Sequence, residues 1–221
     1  MRTKTLLLTA AVTAAGAATS MAQVYSVNAV GYVNKTIPAK KLALISNPLD
    51  AGAGNNTIAN LFKGSPPGTQ VFKFKADGTG FETPATYDDI DNAFLPASSA
   101  NLEVKPGEGV FVSNVSAADL VVTFVGEVPQ GQLSNPVPAG LSIRSSQVPQ
   151  RDDVVKLGFP SAPGDQIFKY DSAKGSYDVF GFDDIDNAWL PSAPILEVGE
   201  AVFVRKNTAA TWTRTFSVNT P

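Results

Sequence analysis

Apolar and polar residues alternate in short runs, as in Gln70-Val-Phe-Lys-Phe-Lys75, where side chains trade faces about every second position. Sustained helical periodicity is absent. The one helix expected runs from Asn56 to Phe62, about two turns, with Asn55 or Asn56 as N-cap and Ile58, Leu61 and Phe62 on one face. Eighteen glycines and sixteen prolines punctuate these runs, and Val, Phe and Thr are frequent. That combination predicts a mainly β protein of short strands joined by turns.

The pattern occurs twice. Gly68-Thr-Gln-Val-Phe-Lys-Phe74 matches Gly164-Asp-Gln-Ile-Phe-Lys-Tyr170. Tyr87-Asp-Asp-Ile-Asp-Asn-Ala-Phe-Leu-Pro96 matches Phe182-Asp-Asp-Ile-Asp-Asn-Ala-Trp-Leu-Pro191, with eight identities in ten. Gly107-Glu-Gly-Val-Phe-Val112 matches Gly199-Glu-Ala-Val-Phe-Val204, Ile37-Pro-Ala39 matches Val137-Pro-Ala139, and Thr123-Phe124 matches Thr215-Phe216. The offset drifts from 100 residues to 92, as small deletions in turns would produce. The reading is two tandem related β modules, sandwich-like or barrel-like, with pseudo-twofold symmetry and one short helix in at least the first. Separate domains and one body sharing a sheet both remain open.

Residues 1–22 read as a signal peptide. Arg2 and Lys4 precede an apolar stretch from Leu6 to Ala18, and Ser20-Met-Ala22 supplies small residues for cleavage. At about 13 residues that stretch is shorter than the ~20 that span a bilayer, and no later segment offers a span. The division is therefore 1–22 signal peptide, 23–28 N-terminal strand segment, 29–126 first module and 127–221 second module. The segment Val24-Tyr-Ser-Val-Asn-Ala-Val-Gly-Tyr-Val33 is strand-like and has no clear twin before the second copy. It is a candidate for completing a sheet of the other module or of a neighbouring molecule, giving a homo-oligomer by strand addition.

Composition narrows the chemistry. With Arg2 and Lys4 removed, 15 basic residues face 20 acidic ones, and no basic stripe exists to meet nucleic-acid phosphates. The chain has no Cys and no His. Ser-His-Asp and Cys-His nucleophiles and His/Cys zinc sites are excluded, and an exported fold must hold by packing without disulfides.

Two acidic loops, Asp88-Asp89-Ile90-Asp91-Asn92 and Asp183-Asp184-Ile185-Asp186-Asn187, carry the densest polar chemistry. Asp and Asn cluster at turns because they bond their own backbone and tolerate left-handed geometry. The apolar flanks, Ile90 included, would then pin each loop to the core. The same oxygens are the kind calcium takes, so calcium is the only cofactor considered, although an EF-hand's order and distal Glu are missing. An acid and base pair for glycoside hydrolysis needs carboxyls facing across a groove, which adjacent loop residues supply poorly. Around the loops, Tyr87, Tyr177, Phe180 and Phe182 are candidate sugar-stacking aromatics. Phe94 and Trp189, each followed by Leu-Pro, read as core, and Trp212 is placed equally well inside or outside. Sequons stand at Asn34, Asn55 and Asn114.

The start Val24-Tyr-Ser-Val-Asn-Ala-Val-Gly-Tyr-Val33 and the run Leu102-Glu-Val-Lys-Pro-Gly-Glu-Gly-Val-Phe-Val112 resemble a family of uncharacterised exported bacterial β-rich repeat proteins. There an L-x-PGEG block closes each module. The resemblance implies export and repeated modules and carries no activity. The second copy departs from it, having Val198-Gly-Glu-Ala201 without Lys-Pro, which suggests a tighter turn.

The expected function is a non-enzymatic structural or adhesive protein of the cell surface or extracellular matrix, exported or periplasmic. A carbohydrate-binding protein with paired, calcium-dependent sites is the alternative, and an acid-catalysed glycan hydrolase a distant third. Polysaccharides and envelope or matrix proteins are the expected partners, with no nucleic acid and no membrane span after cleavage.

Overall fold

Residues 29–219 are described by a computed structural model. The expected signal peptide and the segment 23–28 lie outside the described residues. The first module contains β1 (Val30–Ile37), β2 (Leu42–Ser46), α1 (Ile58–Leu61), β3 (Gln70–Lys73), β4 (Ala85–Asp88), β5 (Ala93–Leu95), α2 (Ala97–Ala100), β6 (Gly109–Ser113) and β7 (Leu120–Glu127). The second contains β8 (Gly131–Val137), β9 (Gly140–Arg144), β10 (Asp152–Asp153), β11 (Gln166–Asp171), β12 (Ser176–Asp183), β13 (Ala188–Leu190), β14 (Ile195–Leu196), β15 (Val202–Lys206) and β16 (Ala210–Phe216).

The two modules repeat one topology, and every strand pair is antiparallel. Five strands run in the order β2-β6-β3-β4-β5 in the first sheet and β9-β15-β11-β12-β13 in the second. A two-stranded ribbon accompanies each sheet, β1 with β7 and β8 with β16. Alternation explains the ribbons: Leu120, Val122 and Phe124 of β7 are buried, whereas Val121, Thr123 and Val125 face outward. Ribbon and sheet enclose a core, filled in the first module by Ile37, Phe124, Val71, Val110, Val112 and Phe62 among others. Val137, Leu157, Ile167, Trp189, Val204 and Trp212 fill the second. Trp212 thus belongs to the interior, its indole N–H donating to the Leu157 carbonyl at 2.7 Å. Phe94 and Trp189 are core, as expected.

A third apolar cluster joins the modules. Leu44 and Phe111 of one sheet pack on Ile143, Ala201 and Phe203 of the other. The copies are therefore one body whose five-stranded sheets meet face to face. The approximate twofold axis passes near Ser46 and its equivalent Ser145, whose buried hydroxyls bond at 2.9 Å. Around it the Ser46 N–H donates to Gly199 O and the Ser145 N–H to Gly107 O, both at 3.0 Å. Gly109 and its twin Ala201 also meet here. A Cβ on Gly109 would stand 2.3 Å from the Ala201 Cβ and 2.7 Å from Ile143 Cγ2, so the axis tolerates one methyl but not two.

Several expectations change. Strand β1 is part of the opening segment, and its twin is β8, since β1 pairs with β7 as β8 pairs with β16. The helix is shorter than expected and is capped by Thr57, whose hydroxyl accepts from the Asn60 N–H. Asn56 is drawn instead into a network, accepting from Asn47 and donating to Asp50. The turn before β15 is no tighter than that before β6. Lys105 N–H donates to Glu108 Oε2 at 3.0 Å and Glu197 N–H to Glu200 Oε2 at 2.9 Å. Buried Val104 and Leu196 therefore occupy one position, and Lys105-Pro106 has its counterpart in Glu197-Val198. The sequon residue Asn114 is buried, its amide donating to the carbonyls of Ile37, Pro38 and Ala118, which removes it from the surface.

Candidate functional site

The acidic loops are hairpin turns joining β4 to β5 and β12 to β13. Asp88 Oδ1 accepts the N–H groups of Ile90 and Asp91 at 2.8 and 3.0 Å. Asp183 Oδ1 does the same for Ile185 and Asp186, both at 2.9 Å. Asn92 and Asn187 close the turns with φ of 51° and 49°, the left-handed region Asn tolerates best after Gly. One carboxylate in each loop is thus turned onto its own backbone. Asp89, Asp91, Asp184 and Asp186 are exposed, and among the described residues no group of three or more acidic residues converges to hold a metal. The expectation that the central isoleucine pins the loop is overturned: Ile90 and Ile185 are 90 % and 88 % exposed. The turn is built by Asx hydrogen bonds, so its tip is free to project.

The four candidate aromatics do not gather. Tyr87 is buried in the first core beside Phe94 and donates its hydroxyl to Asn92 Oδ1 at 2.6 Å. Phe180 and Phe182 pack against the second core, Phe182 edge-on to Trp189 at 5.4 Å. Tyr177 stands an odd number of residues from Phe180 on β12 and so takes the opposite face of the sheet.

That opposite face carries an organised apolar surface. The hairpins β3–β4 and β11–β12 project their outer aromatics between the two sheets. Phe74 of the first module meets Phe203 of the second edge to face at 5.1 Å. Tyr170 of the second meets Phe111 of the first in the same way at 5.2 Å. These are equivalent contacts exchanged across the pseudo-twofold axis. Phe81 and its twin Tyr177 cap the arrangement, 40 % and 41 % exposed. Between the sheets they leave a cleft of two lobes. One, about 420 Å³, is lined by Phe74, Phe81, Leu141, Phe168, Tyr177 and Phe203. The other, about 370 Å³, is lined by Leu42, Phe72, Phe81, Phe111, Tyr177 and Phe203. Leu42 and Leu141 are twins, as are Phe72 and Phe168. The lobes therefore repeat one another.

The lysine–carboxylate pairs of the two hairpins lie away from the cleft. Lys73 pairs with Glu108 at 3.0 Å and its twin Lys169 with Glu200 at 2.9 Å, on the sheet faces turned away from Phe72 and Phe168. Lys41 donates to the Ala173 carbonyl at 3.3 Å, linking β2 to the β11–β12 turn. Burial, and then the neighbouring Tyr170, push the Tyr177 phenol above its ordinary range, so it remains a neutral donor.

Sequence reasoning assigned Tyr177 to the surroundings of the acidic loops and missed Phe72, Phe74, Phe111, Phe168 and Phe203. A signal was present. Val110-Phe-Val112 and Val202-Phe-Val204 are continuous apolar runs, the mark of strands covered on both faces. Comparison with family models, curated proteins and solved structures found no match. No helix among the described residues is long and apolar enough to cross a membrane.

Proposed function

We propose that this chain is an exported, non-enzymatic structural or adhesive protein of the cell surface or extracellular matrix, acting by holding another molecule. The observation that carries the reading is the two-lobed aromatic cleft, a surface suited to contact and lined by no carboxylate or amine. Apolar surface left open at a concave junction marks an interaction site. The acidic turns support the same reading, because the leading carboxylate in each organises the loop that bears it. The Arg2/Lys4 start and apolar run support export.

Carbohydrate binding is the second reading, favoured by the part-exposed Phe81 and Tyr177 rings, on whose faces sugars stack. One experiment addresses both. Mature protein is fractionated with its producing cells and its retention on the isolated envelope or matrix is measured. Replacing Phe81 and Tyr177 by Ser should release it. Retention on purified polysaccharide lost by the same variants would favour the carbohydrate reading. Retention indifferent to both substitutions would remove the cleft as the holding surface.

A further inference from the structure

We propose that the cleft is a binding site for a small, uncharged, apolar molecule that places one apolar group in each lobe. The inference rests on reading the cleft as the holding surface and replaces an unspecified partner with a chemical class.

Three observations lead to it. The first is charge. Neither lobe is lined by an ionisable side chain other than the Tyr177 phenol, and two ammonium groups close in sequence, Lys41 and Lys174, are committed elsewhere. Lys41 is bonded to Ala173 O, and Lys174 is shared between Asp171 and Asp178. A charged occupant would lose water and gain no counter-ion, which strongly disfavours it. A sugar would leave most of its hydroxyls facing ring edges and aliphatic carbons.

The second is shape. The lobes are twins of similar size, about 420 and 370 Å³, and share Phe81, Tyr177 and Phe203 as a partition. Each falls within the range of small-molecule sites, roughly 300–1,000 Å³. A ligand with two apolar groups joined by a short link fits this form, and a single bulky group does not.

The third is rigidity. Phe74 on Phe203 and Tyr170 on Phe111 cross between modules, so the cleft walls are held by contacts that also hold the body together. A preformed apolar site loses little order when filled, which leaves more of the apolar burial to appear as affinity.

The probe is N-phenyl-1-naphthylamine, uncharged and carrying one phenyl and one naphthyl group, titrated into the full mature chain. The expected result is a saturable fluorescence rise with one probe per chain. Leu42→Trp and Leu141→Trp, which fill one lobe each from its wall, should weaken binding at least about tenfold, the effect of about 1.4 kcal/mol. Phe81→Ser combined with Tyr177→Ser should weaken it by a similar factor through loss of the partition, and serves if the tryptophan variants fold poorly. Unchanged circular dichroism and melting in either set would confirm that the effect is local.

Absence of saturable binding, or equal affinity in all variants, would overturn the proposal. So would displacement of the probe by oligosaccharide. A concentration-dependent dimer abolished by Phe81→Ser would overturn it too, since a second copy would then be the occupant. Loss of envelope retention in the serine variants, with no probe binding in wild type, would remove the ligand class and leave the holding surface in place. Probe binding lost by variants that stay fully retained would do the reverse.

Discussion

Asp165 and Lys206 form a buried ion pair, 0 % and 2 % exposed at the side chain, inside the second module. The Lys206 ammonium donates to Asp165 Oδ2 and to Pro160 O, and lies 5.5 Å from the Phe159 ring centroid. Asp165 Oδ2 also accepts the Ala162 N–H at 2.8 Å, while Oδ1 is buried without a partner. The first module solves the same positions without charge. Thr69 donates to Pro66 O at 2.7 Å, and Asn114 spends its amide on three carbonyls. Replacing Lys206 by Met strands a buried carboxylate, which should cost about 3–5 kcal/mol. In a body of this size that lowers the melting temperature by roughly 10 °C. Asp165→Asn should cost a comparable amount by leaving the ammonium unbalanced. The double replacement Asp165→Thr with Lys206→Asn copies the first module's arrangement and should recover all but about 1 kcal/mol, because no buried charge remains. Urea and thermal unfolding of the four proteins give the comparison. The reasoning is refuted if either single variant loses less than about 1 kcal/mol, or if the double variant is as unstable as the singles.

Gly109→Ala should destabilise the junction between modules by about 1–3 kcal/mol, since its methyl would meet Ala201 and Ile143 with no room to move. Unfolding monitored separately in each module would also show the two transitions drawing apart, and a neutral result would count against the shared core. Adding excess calcium, then chelator, should leave the melting temperature unchanged if the acidic loops are only turns. A rise with calcium would restore the metal reading, because a ligand specific to the folded state must stabilise it. Lys35 is held below its ordinary value of 10.5 by burial, opposed by the carboxylates of Glu200 and Glu197. Its charged form is thus disfavoured by folding, and the cost is full at neutral pH. It fades as pH rises through the lowered folded value towards 10.5, where the unfolded chain still holds the proton. Lys35→Met should therefore be more stable than wild type at neutral pH, with the gap closing in alkaline melts. A gap that widens with pH would contradict the assignment.

Much of the architecture was written in the sequence. The duplication, the mainly β class and the position of most strands follow from two-residue alternation and from blocks matched in order, because these are local properties of a chain. The acidic turns were legible for the same reason, since Asp88 reaches Ile90 and Asp91 only two and three residues away. The core roles of Phe94 and Trp189 followed from their matched places beside those turns. What alternation left open was which layer covers the second face of each sheet. Val71 and Phe72 are both apolar and adjacent, and nothing local says that one faces the ribbon of its own module and the other faces a different module. That assignment comes from contacts between residues far apart in the chain. Examples are Ser46 on Ser145, Phe111 on Tyr170 and Phe74 on Phe203, with Gly109 leaving room for Ala201. The sequence by itself determined two β modules and their acidic turns. Only the tertiary structure turned the modules face to face about a pseudo-twofold axis, because packing sheet on sheet hides apolar area that neither module can cover alone. The same packing leaves Phe81 and Tyr177 at the mouth of the cleft.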